Sequence, residues 1–179
     1  MGEKKEKVEI PPLGTWAQRE RRYIVEWYNK NYAGIPVKFN AAIGPVPTEI
    51  VKEMGFEKAT RWWRPMRKKI DCLIFDTTKL IAAEAEIVQP LNAIRDIVFY
   101  RELLKESPDL GEWLNKPHEM VLVTPEKTEE VERLCYKFNI RLDIFKPDWI
   151  DSYLEERRKY WTKEGILQRL ERKRRLGKI

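Results

Sequence analysis

The chain has 179 residues, a net charge of +6 and charged side chains at 36% of its positions. Its seven Trp and 42% apolar residues are enough for the core of one domain. A single His and two separated Cys exclude a usual zinc site, and we expect both thiols to be free and buried. No run of 18 apolar residues occurs, so we expect no membrane association and a cytoplasmic protein. The scarcity of Gln, Asn and Cys favours a thermophilic source.

The positive charge is concentrated near the end of the chain. Residues 156–179 contain ten Lys or Arg and three Glu, so the rest of the chain is almost neutral. A basic tail on a neutral body favours a polyanion such as nucleic acid as partner. The phosphate contacts expected in this tail are Arg172, Lys173, Arg174 and Arg175. A solvated terminal helix is an equal alternative.

The first half of the chain predicts a helix and a strand, followed by an insert. Residues 1–14 are a charged segment that we expect to be flexible. Thr15 and Gln18 predict a capping box that opens a helix to about Tyr32, and a strand follows at 35–43. The insert spans residues 44–68. It holds a short helix near 48–54 and, because of Pro65, a loop or short turn from 58 onwards.

The second half predicts a hairpin and then alternating helices and strands. The expected elements are a hairpin at 69–88, a helix from Pro90 to Glu106, a strand at 120–123, a helix at 126–138 and a strand at 140–145. Residues 15–147 thus form one core, and 148–179 form a basic helical extension with a break at Gly165. A hairpin followed by crossovers predicts an α/β protein with a mixed central β-sheet flanked by helices.

The hairpin carries three acids among apolar residues. Asp71 lies on its first arm, and Glu84 and Glu86 lie on the returning arm, separated by Ala85. Alternate residues of a strand share a face, so Glu84 and Glu86 should point the same way. Acidic side chains are rare in such strands unless they are paired or bind a metal. The pattern predicts a divalent-cation site, whereas Asp76 is assigned to the turn.

Phosphodiester hydrolysis is the chemistry that such a site suits. Mg²⁺ or Mn²⁺ held by carboxylates offsets phosphate charge and makes a water nucleophilic. Asp71, Glu84 and Glu86 are the expected catalytic residues and metal ligands, with the Ala85 carbonyl as a further ligand. Three carboxylates close together repel one another, so at least one should have a raised pKa.

The order helix, strand, hairpin, helix and strand, with Asp71 and Glu84-x-Glu86, resembles the PD-(D/E)XK nuclease superfamily. The resemblance covers roughly Thr15–Phe145. It implies a restriction-endonuclease-like core, α-β-β-β-α-β, here extended by one α-β unit, and a Mg²⁺-dependent activity on DNA. It also implies that Glu20 on the first helix approaches the metal, whereas a surface glutamate paired with an arginine is the alternative for this residue. Glu86 stands where the family usually has a lysine.

Other readings of these residues remain open. Glu84 and Glu86 would pair with Arg95 or Arg101 if their role were structural. The segment RWWRPMRKK mixes cations with two tryptophans, which suits phosphate contact and base stacking, unless both rings pack inside the protein. The nucleic-acid contacts expected in and around the hairpin are Arg61, Arg64, Arg67, Lys68, Lys69 and Gln89, the last of which is as well explained as a cap of the strand end.

The function expected from the sequence is a divalent-metal-dependent DNA endonuclease or exonuclease. The alternative is an inactive protein of the same fold that binds nucleic acid or takes part in assembly, for example in a virus or plasmid. A homodimer is left open, since Leu167, Leu170 and Leu176 on the basic extension could dock another chain.

Overall fold

The structure is a computed structural model that describes residues 6–160 and 162–177. The first five residues of the expected flexible segment, and residues 161, 178 and 179 of the basic extension, lie outside the described residues. The chain divides into two compact units, Met1–Phe145 and Lys146–Ile179.

The described residues form seven α-helices and five β-strands. The helices are Trp16–Asn31 (α1), Thr48–Met54 (α2), Phe56–Trp63 (α3), Pro90–Lys105 (α4), Glu129–Lys137 (α5), Ile150–Tyr160 (α6) and Lys163–Arg175 (α7). The strands are Val37–Ile43 (β1), Lys68–Phe75 (β2), Leu80–Ala85 (β3), His118–Thr124 (β4) and Arg141–Ile144 (β5). Short 3₁₀ segments lie at Arg64–Met66 and Pro108–Asn115.

The five strands form one mixed sheet in the order β1-β2-β3-β4-β5. The pairs β1–β2 and β2–β3 are antiparallel, and the pairs β3–β4 and β4–β5 are parallel. Each parallel pair needs a crossover, which α4 and α5 supply. The expected α/β protein with a mixed sheet flanked by helices is confirmed.

Both faces of the central strands are buried, which explains their nearly continuous apolar sequences. One face joins the main core cluster with α4, through Leu73, Leu80, Ala82, Met120 and Leu122. The alternate residues face the other side and are also buried: Cys72, Ile74, Ile81, Ala83, Val121 and Val123. On that side the ring of Tyr28, from α1, packs edge-on against Phe39 of β1 at 5.5 Å between centroids.

Local sequence signals fix several of these elements. The capping box between Thr15 and Gln18 is present at the start of α1, with Gln18 Oε1 2.6 Å from the Thr15 amide nitrogen. In the hairpin turn, the carboxylate of Asp76 accepts hydrogen bonds from the Thr77 hydroxyl and the Thr78 amide, which is ordinary turn chemistry. Both cysteines are free and buried, as expected.

The structure corrects the expected loop in the insert. Residues 56–63 are helical (α3), and the chain continues into the 3₁₀ segment Arg64–Met66. Pro65 stands in the first turn of that segment, where no helical partner for its missing N–H is required. The proline therefore separates two helical segments instead of preventing a helix.

The second unit, Lys146–Ile179, contains α6 and α7. The expected break in the basic extension falls between Tyr160 and Lys163, not at Gly165. The Thr162 hydroxyl caps α7 by accepting a hydrogen bond from the Gly165 amide at 3.1 Å. In the described residues, no helix is long and apolar enough to cross a membrane.

Candidate functional site

Neighbouring strands place Asn40, Asp71 and Glu84 side by side across the sheet. The register pairs Phe39 with Cys72 and Ala41 with Ile70, so Asn40 and Asp71 both lie between these two pairs. The next register pairs Cys72 with Ala83, which brings Glu84 opposite Asp71 on the other side. Asp71 and Glu84, as opposed residues, share a face of the sheet, and Asn40 is next to them in the row across the strands.

Asp71 and Glu84 are tied to each other's strand by hydrogen bonds. The Ala85 amide donates to Asp71 Oδ2 at 3.0 Å, and the Asp71 amide donates to Glu84 Oε2 at 3.2 Å. These bonds fix the two carboxylates at the end of the hairpin. They use one oxygen of each carboxylate.

The row of side chains opens into a cleft with a volume of about 560 Å³. Side chains from α1, β1, the 3₁₀ segment and both arms of the hairpin surround it. Its lining residues are Glu20, Arg21, Ile24, Phe39, Asn40, Arg64, Asp71, Glu84, Ala85 and Glu86. All five residues expected to hold a metal, Glu20 included, therefore line one cleft.

The surroundings of Asp71 and Glu84 disfavour the charged form of both carboxyl groups. Burial raises the pKa of Asp71, the hydrogen bond from the Ala85 amide opposes this, and the charges of Glu20 and Glu86 raise it further. Burial and the neighbouring Asp71 raise the pKa of Glu84. Burial and the charge of Glu84 also raise the pKa of Tyr100, on α4, to about 12. A cation at this place would relieve the repulsion.

Glu86 lies outside the strand, one residue beyond the end of β3, although it lines the same cleft as Glu84. Strand β3 ends at Ala85, and the Glu86 amide still donates to the Val123 carbonyl at 2.9 Å. The Glu86 carboxylate then turns to accept bonds from the amides of Val88 and Gln89, at 2.8 and 3.1 Å. Because these amides precede α4, Glu86 acts as a cap while its side chain still lines the cleft.

The oxygen ligands at the cleft are of the type that a hard divalent cation prefers, but they do not surround a single point. Within residues 6–160 and 162–177, no group of three or more His, Cys, Asp or Glu side chains is close enough to hold a metal ion. Carboxylate and carbonyl oxygens are nevertheless the ligands that Mg²⁺ and Mn²⁺ prefer. Asp71 and Glu84 each keep a second carboxylate oxygen that makes no hydrogen bond within the described residues.

The alternative in which Glu84 and Glu86 form structural ion pairs with Arg95 or Arg101 is wrong. Arg101 donates to the carbonyls of Phe138 and Asn139 at 2.7 and 2.9 Å. Arg95 is paired with its neighbour Asp96, with 3.1 Å between guanidinium nitrogen and carboxylate oxygen. Neither arginine reaches Glu84 or Glu86, so the glutamates have no cationic partner from this helix.

The expected phosphate contacts of the insert lie in different environments. Arg64 lines the cleft, whereas Arg61, Lys68 and Lys69 are exposed outside it. Arg67 departs from its expected role as a phosphate contact, because it is 6% exposed and its guanidinium pairs with the Asp109 carboxylate at 2.6 Å. A buried, paired guanidinium supports the fold and is not placed to contact a phosphate.

The two tryptophans of the insert also differ. Their rings stack at 5.9 Å between centroids, and Trp62 is 61% exposed while Trp63 is partly buried. Gln89, in contrast, stands at the start of α4. Its side-chain oxygen accepts from the Asn92 side chain at 2.5 Å, and its amide donates to Glu86, so the Gln89 side chain itself makes no capping hydrogen bond.

The expected contacts in the basic tail are on α7, within the second unit. Arg172, Lys173, Arg174 and Arg175 are all exposed at its carboxyl-terminal end. Cations in the last turn of a helix also interact favourably with its dipole, so their presence has a structural explanation as well.

Sequence reasoning missed two polar residues of the cleft, Arg21 and Asn40. Arg21 directly follows Glu20 in a helix crowded with arginines, so no signal separates it from its neighbours. Asn40 carried a signal, since it is the polar residue between Phe39 and Ala41 in an otherwise apolar part of β1.

No protein-family model and no curated protein sequence matches this chain. Among solved structures, it is similar to a repair endonuclease from Pyrococcus abyssi, with 15% identity, a TM-score of 0.42 and coverage of 70% of this chain and 46% of that one. It is also similar to EndoMS in complex with double-stranded DNA, with 19% identity, a TM-score of 0.41 and coverage of 78% and 49%. A protein of unknown function gives 13% identity, a TM-score of 0.44 and coverage of 79% and 68%. The chain spans about half the length of the first two proteins. Because all three TM-scores are below 0.5, only the residues of this chain support the assignment of the site.

Proposed function

We propose that this protein is a divalent-metal-dependent nuclease that hydrolyses phosphodiester bonds of DNA at the cleft. The observation that carries the proposal is the gathering of acids from α1, β2 and β3 in one cleft, next to Arg21 and Arg64. Asp71 and Glu84 are partly buried and accept hydrogen bonds from backbone amides. Acids held in this way cost stability, and they are typical of functional sites. A site that binds an anionic phosphate and a cationic metal needs both basic and acidic side chains, and this cleft contains both.

The ligands proposed for Mg²⁺ or Mn²⁺ are the carboxylates of Asp71 and Glu84 and the carbonyl of Ala85, with Glu20 as a further donor. A bound cation supplies charge neutralisation for the phosphate and acidifies a water. Both carboxylates keep an oxygen for this purpose while the other oxygen holds the hairpin together. The hydrogen bonds from the strand amides thus orient the ligands before a cation binds.

The remaining cleft residues act on substrate and protons. Arg64 and Arg21 contact non-bridging oxygens of the phosphate, since neither guanidinium forms an ion pair within the described residues. Glu86, once released from its cap, accepts the proton of the attacking water. The water oxygen bonds to phosphorus, the bond to the leaving sugar oxygen breaks, and that oxygen takes up a proton from solvent.

The insert extends the contact with DNA beyond the cleft. Arg61, Lys68 and Lys69 are exposed cations that suit backbone phosphates. Trp62 offers one open face of a stacked indole pair, which suits stacking on a base at a strand end or distortion. Arg172 to Arg175 on α7 add phosphate contacts that are independent of sequence.

A cleavage assay tests the proposal. Labelled duplex, single-stranded and branched DNA are incubated with Mg²⁺ or Mn²⁺ and with wild type, Asp71→Asn or Glu84→Gln. We expect cleavage by wild type and a loss of at least about 1,000-fold in both variants, because each removes a ligand charge. The absence of cleavage on every substrate with either metal would refute the nuclease.

The matched control is Glu119→Gln, on β4 of the same sheet. Glu119 is ion-paired with Lys79 and Arg141, each at 2.5 Å, and does not line the cleft. Its substitution removes a sheet carboxylate of the same type, so we expect cleavage within about twofold of wild type. A comparable loss in the control would show that any damage to the sheet abolishes activity.

A nucleic-acid-binding protein without catalysis is the second candidate. It is favoured by Glu86, whose carboxylate is engaged as a helix cap, and by the dispersed donors of the cleft. In that case DNA binding would survive Asp71→Asn and Glu84→Gln, would weaken with salt, and would fall on truncation after residue 155.

A further inference from the structure

Asn40 has a backbone conformation that its position in a strand does not explain. Its φ is +50°, in the left-handed region that L-residues other than Asn and Gly seldom occupy. In the described residues, Asn139 is the other non-glycine residue with positive φ, also +50°. Asn139 follows α5, at a helix end where a left-handed residue is ordinary. Asn40 lies within β1, where the backbone should be extended.

The same residue stands at the centre of the candidate site. Asn40 lies between the register pairs Phe39–Cys72 and Ala41–Ile70, which flank Asp71, and it lines the cleft with Glu84 and Arg64. Its side chain is exposed, and its carboxamide makes no hydrogen bond within residues 6–160 and 162–177. Strained backbone maintained at a cleft is typical of residues that a functional site needs in one orientation.

The chemistry of the cleft gives the carboxamide a role. The acids repel a phosphodiester, and an additional cation beside Asp71 would pair with that carboxylate and compete with a metal. An amide donates hydrogen bonds without carrying charge, so it can approach a phosphate oxygen while Asp71 remains available. Asparagine is also among the few residues other than glycine that tolerate the left-handed conformation.

We propose that Asn40 is a substrate-contacting residue, whose Nδ2 donates a hydrogen bond to a non-bridging oxygen of the phosphodiester in the cleft. The proposal rests on the proposed function for the identity of the substrate. It assigns phosphate positioning to Asn40 in addition to the arginines.

The test compares Asn40→Gly with its matched control, Asn139→Gly. Glycine accepts φ near +50°, so each variant keeps the backbone and removes one carboxamide. Binding of a dye-labelled DNA is measured in EDTA, where no cleavage occurs, and cleavage is measured with Mg²⁺. For Asn40→Gly we expect binding and cleavage each to fall about tenfold, the effect of one hydrogen bond to a charged group, with Tm unchanged. Asn139→Gly should behave like wild type.

A third variant, Asn40→Ala, tests the backbone premise. Alanine is strained in the left-handed region, so we expect its Tm to fall by about 3 °C relative to Asn40→Gly. Equal Tm values for Asn40→Ala and Asn40→Gly would show that residue 40 does not adopt the left-handed conformation, which would overturn the premise.

The outcomes separate this inference from the proposed function. If wild type cleaves DNA and Asn40→Gly binds and cleaves equally well, the role of Asn40 is refuted and the nuclease stands. If wild type cleaves nothing while Asn40→Gly still loses DNA affinity, the contact stands and the nuclease is refuted. Equal losses in Asn40→Gly and Asn139→Gly would also refute the contact.

Discussion

Two groups of acids in the same sheet differ in how their charge is balanced. Asp71 and Glu84 on β2 and β3 face the cleft, with raised pKa values and hydrogen bonds from backbone amides alone. Glu119 on β4 and Asp143 on β5 share Arg141, at 2.5 and 2.9 Å. Both groups consist of carboxylates on neighbouring strands. Arg141 neutralises the second group, whereas no ion pair within the described residues neutralises the first.

The second group shows how this fold treats acids that serve only the structure. Burial alone would raise the pKa of Glu119, but the hydrogen bond from Lys79 and the charge of Arg141 outweigh it and lower the pKa. Asp143 also accepts from the Trp27 indole at 3.1 Å, and Arg141 donates to the Tyr32 hydroxyl at 2.6 Å. The lack of an ion pair at Asp71 and Glu84 is therefore a local property of the cleft, where the proposed metal would supply the positive charge.

Metal binding is expected to produce the largest effect on stability. At a Mn²⁺ or Mg²⁺ concentration about 100 times the Kd, binding to the folded state adds about 2.7 kcal/mol, or roughly 5–10 °C in Tm for a chain of this size. Differential scanning calorimetry should show this shift for wild type and Glu119→Gln but not for Glu84→Gln. A shift that persists in Glu84→Gln would place the cation elsewhere.

Without metal, the two glutamates should respond to substitution with opposite signs. The folded pKa of Glu84 is raised, so its stabilising contribution is present below the ordinary pKa of about 4.5 and is lost as pH rises. Glu84→Gln should therefore raise Tm at pH 8 by at least about 3 °C, since one pKa unit is about 1.4 kcal/mol. This gain should shrink as the pH falls toward 4.5.

For Glu119 the pKa is lowered, so its contribution is present at neutral pH and is lost as the pH falls. Glu119→Gln should lower Tm at pH 8 by about 3 °C, corresponding to about 1 kcal/mol for a partly exposed ion pair. Melting curves of both variants from pH 4 to pH 8 measure the comparison. Two shifts of the same sign at pH 8 would contradict the different charge balance.

The cations of the two groups should affect different properties of the protein. Arg64→Gln should reduce the slope of log binding constant against log salt concentration by about 0.9, with Tm unchanged, because it removes one phosphate contact. Arg141→Gln should leave that slope unchanged and lower Tm by about 4 °C, since it leaves two carboxylates without their partner. Fluorescence anisotropy from 50 to 200 mM salt measures the slopes, and identical slopes for Arg64→Gln and wild type would remove Arg64 from the interface.

Features governed by local interactions could be predicted from the sequence. The capping box of Thr15, the turn at Asp76 and the alternation along the hairpin each depend on residues a few positions apart. The helix α3 was missed because Pro65 is unfavourable inside a helix but acceptable at the first turn of a new one. A sequence pattern does not reveal which of these positions a proline will occupy.

The roles of single side chains were less predictable. Arg67 stands in a segment of solvated cations, but it is buried because Asp109, 42 positions away, meets it there. Glu86 has the spacing of a strand residue, yet β3 ends one residue earlier and its carboxylate caps the turn before α4. Both outcomes depend on contacts that no local pattern contains.

The sequence by itself determined the mixed α/β sheet and the placement of Asp71 and Glu84 on a buried hairpin, because alternation and turn chemistry act over short distances. Only the tertiary structure decided which groups join them. Packing of α1 and the 3₁₀ segment around the sheet brings Glu20 and Arg64 to the cleft, and pairing of β1 with β2 brings Asn40 beside Asp71. Burial and charge repulsion, which set the pKa values of the acids, arise from that packing and exist only in the folded chain.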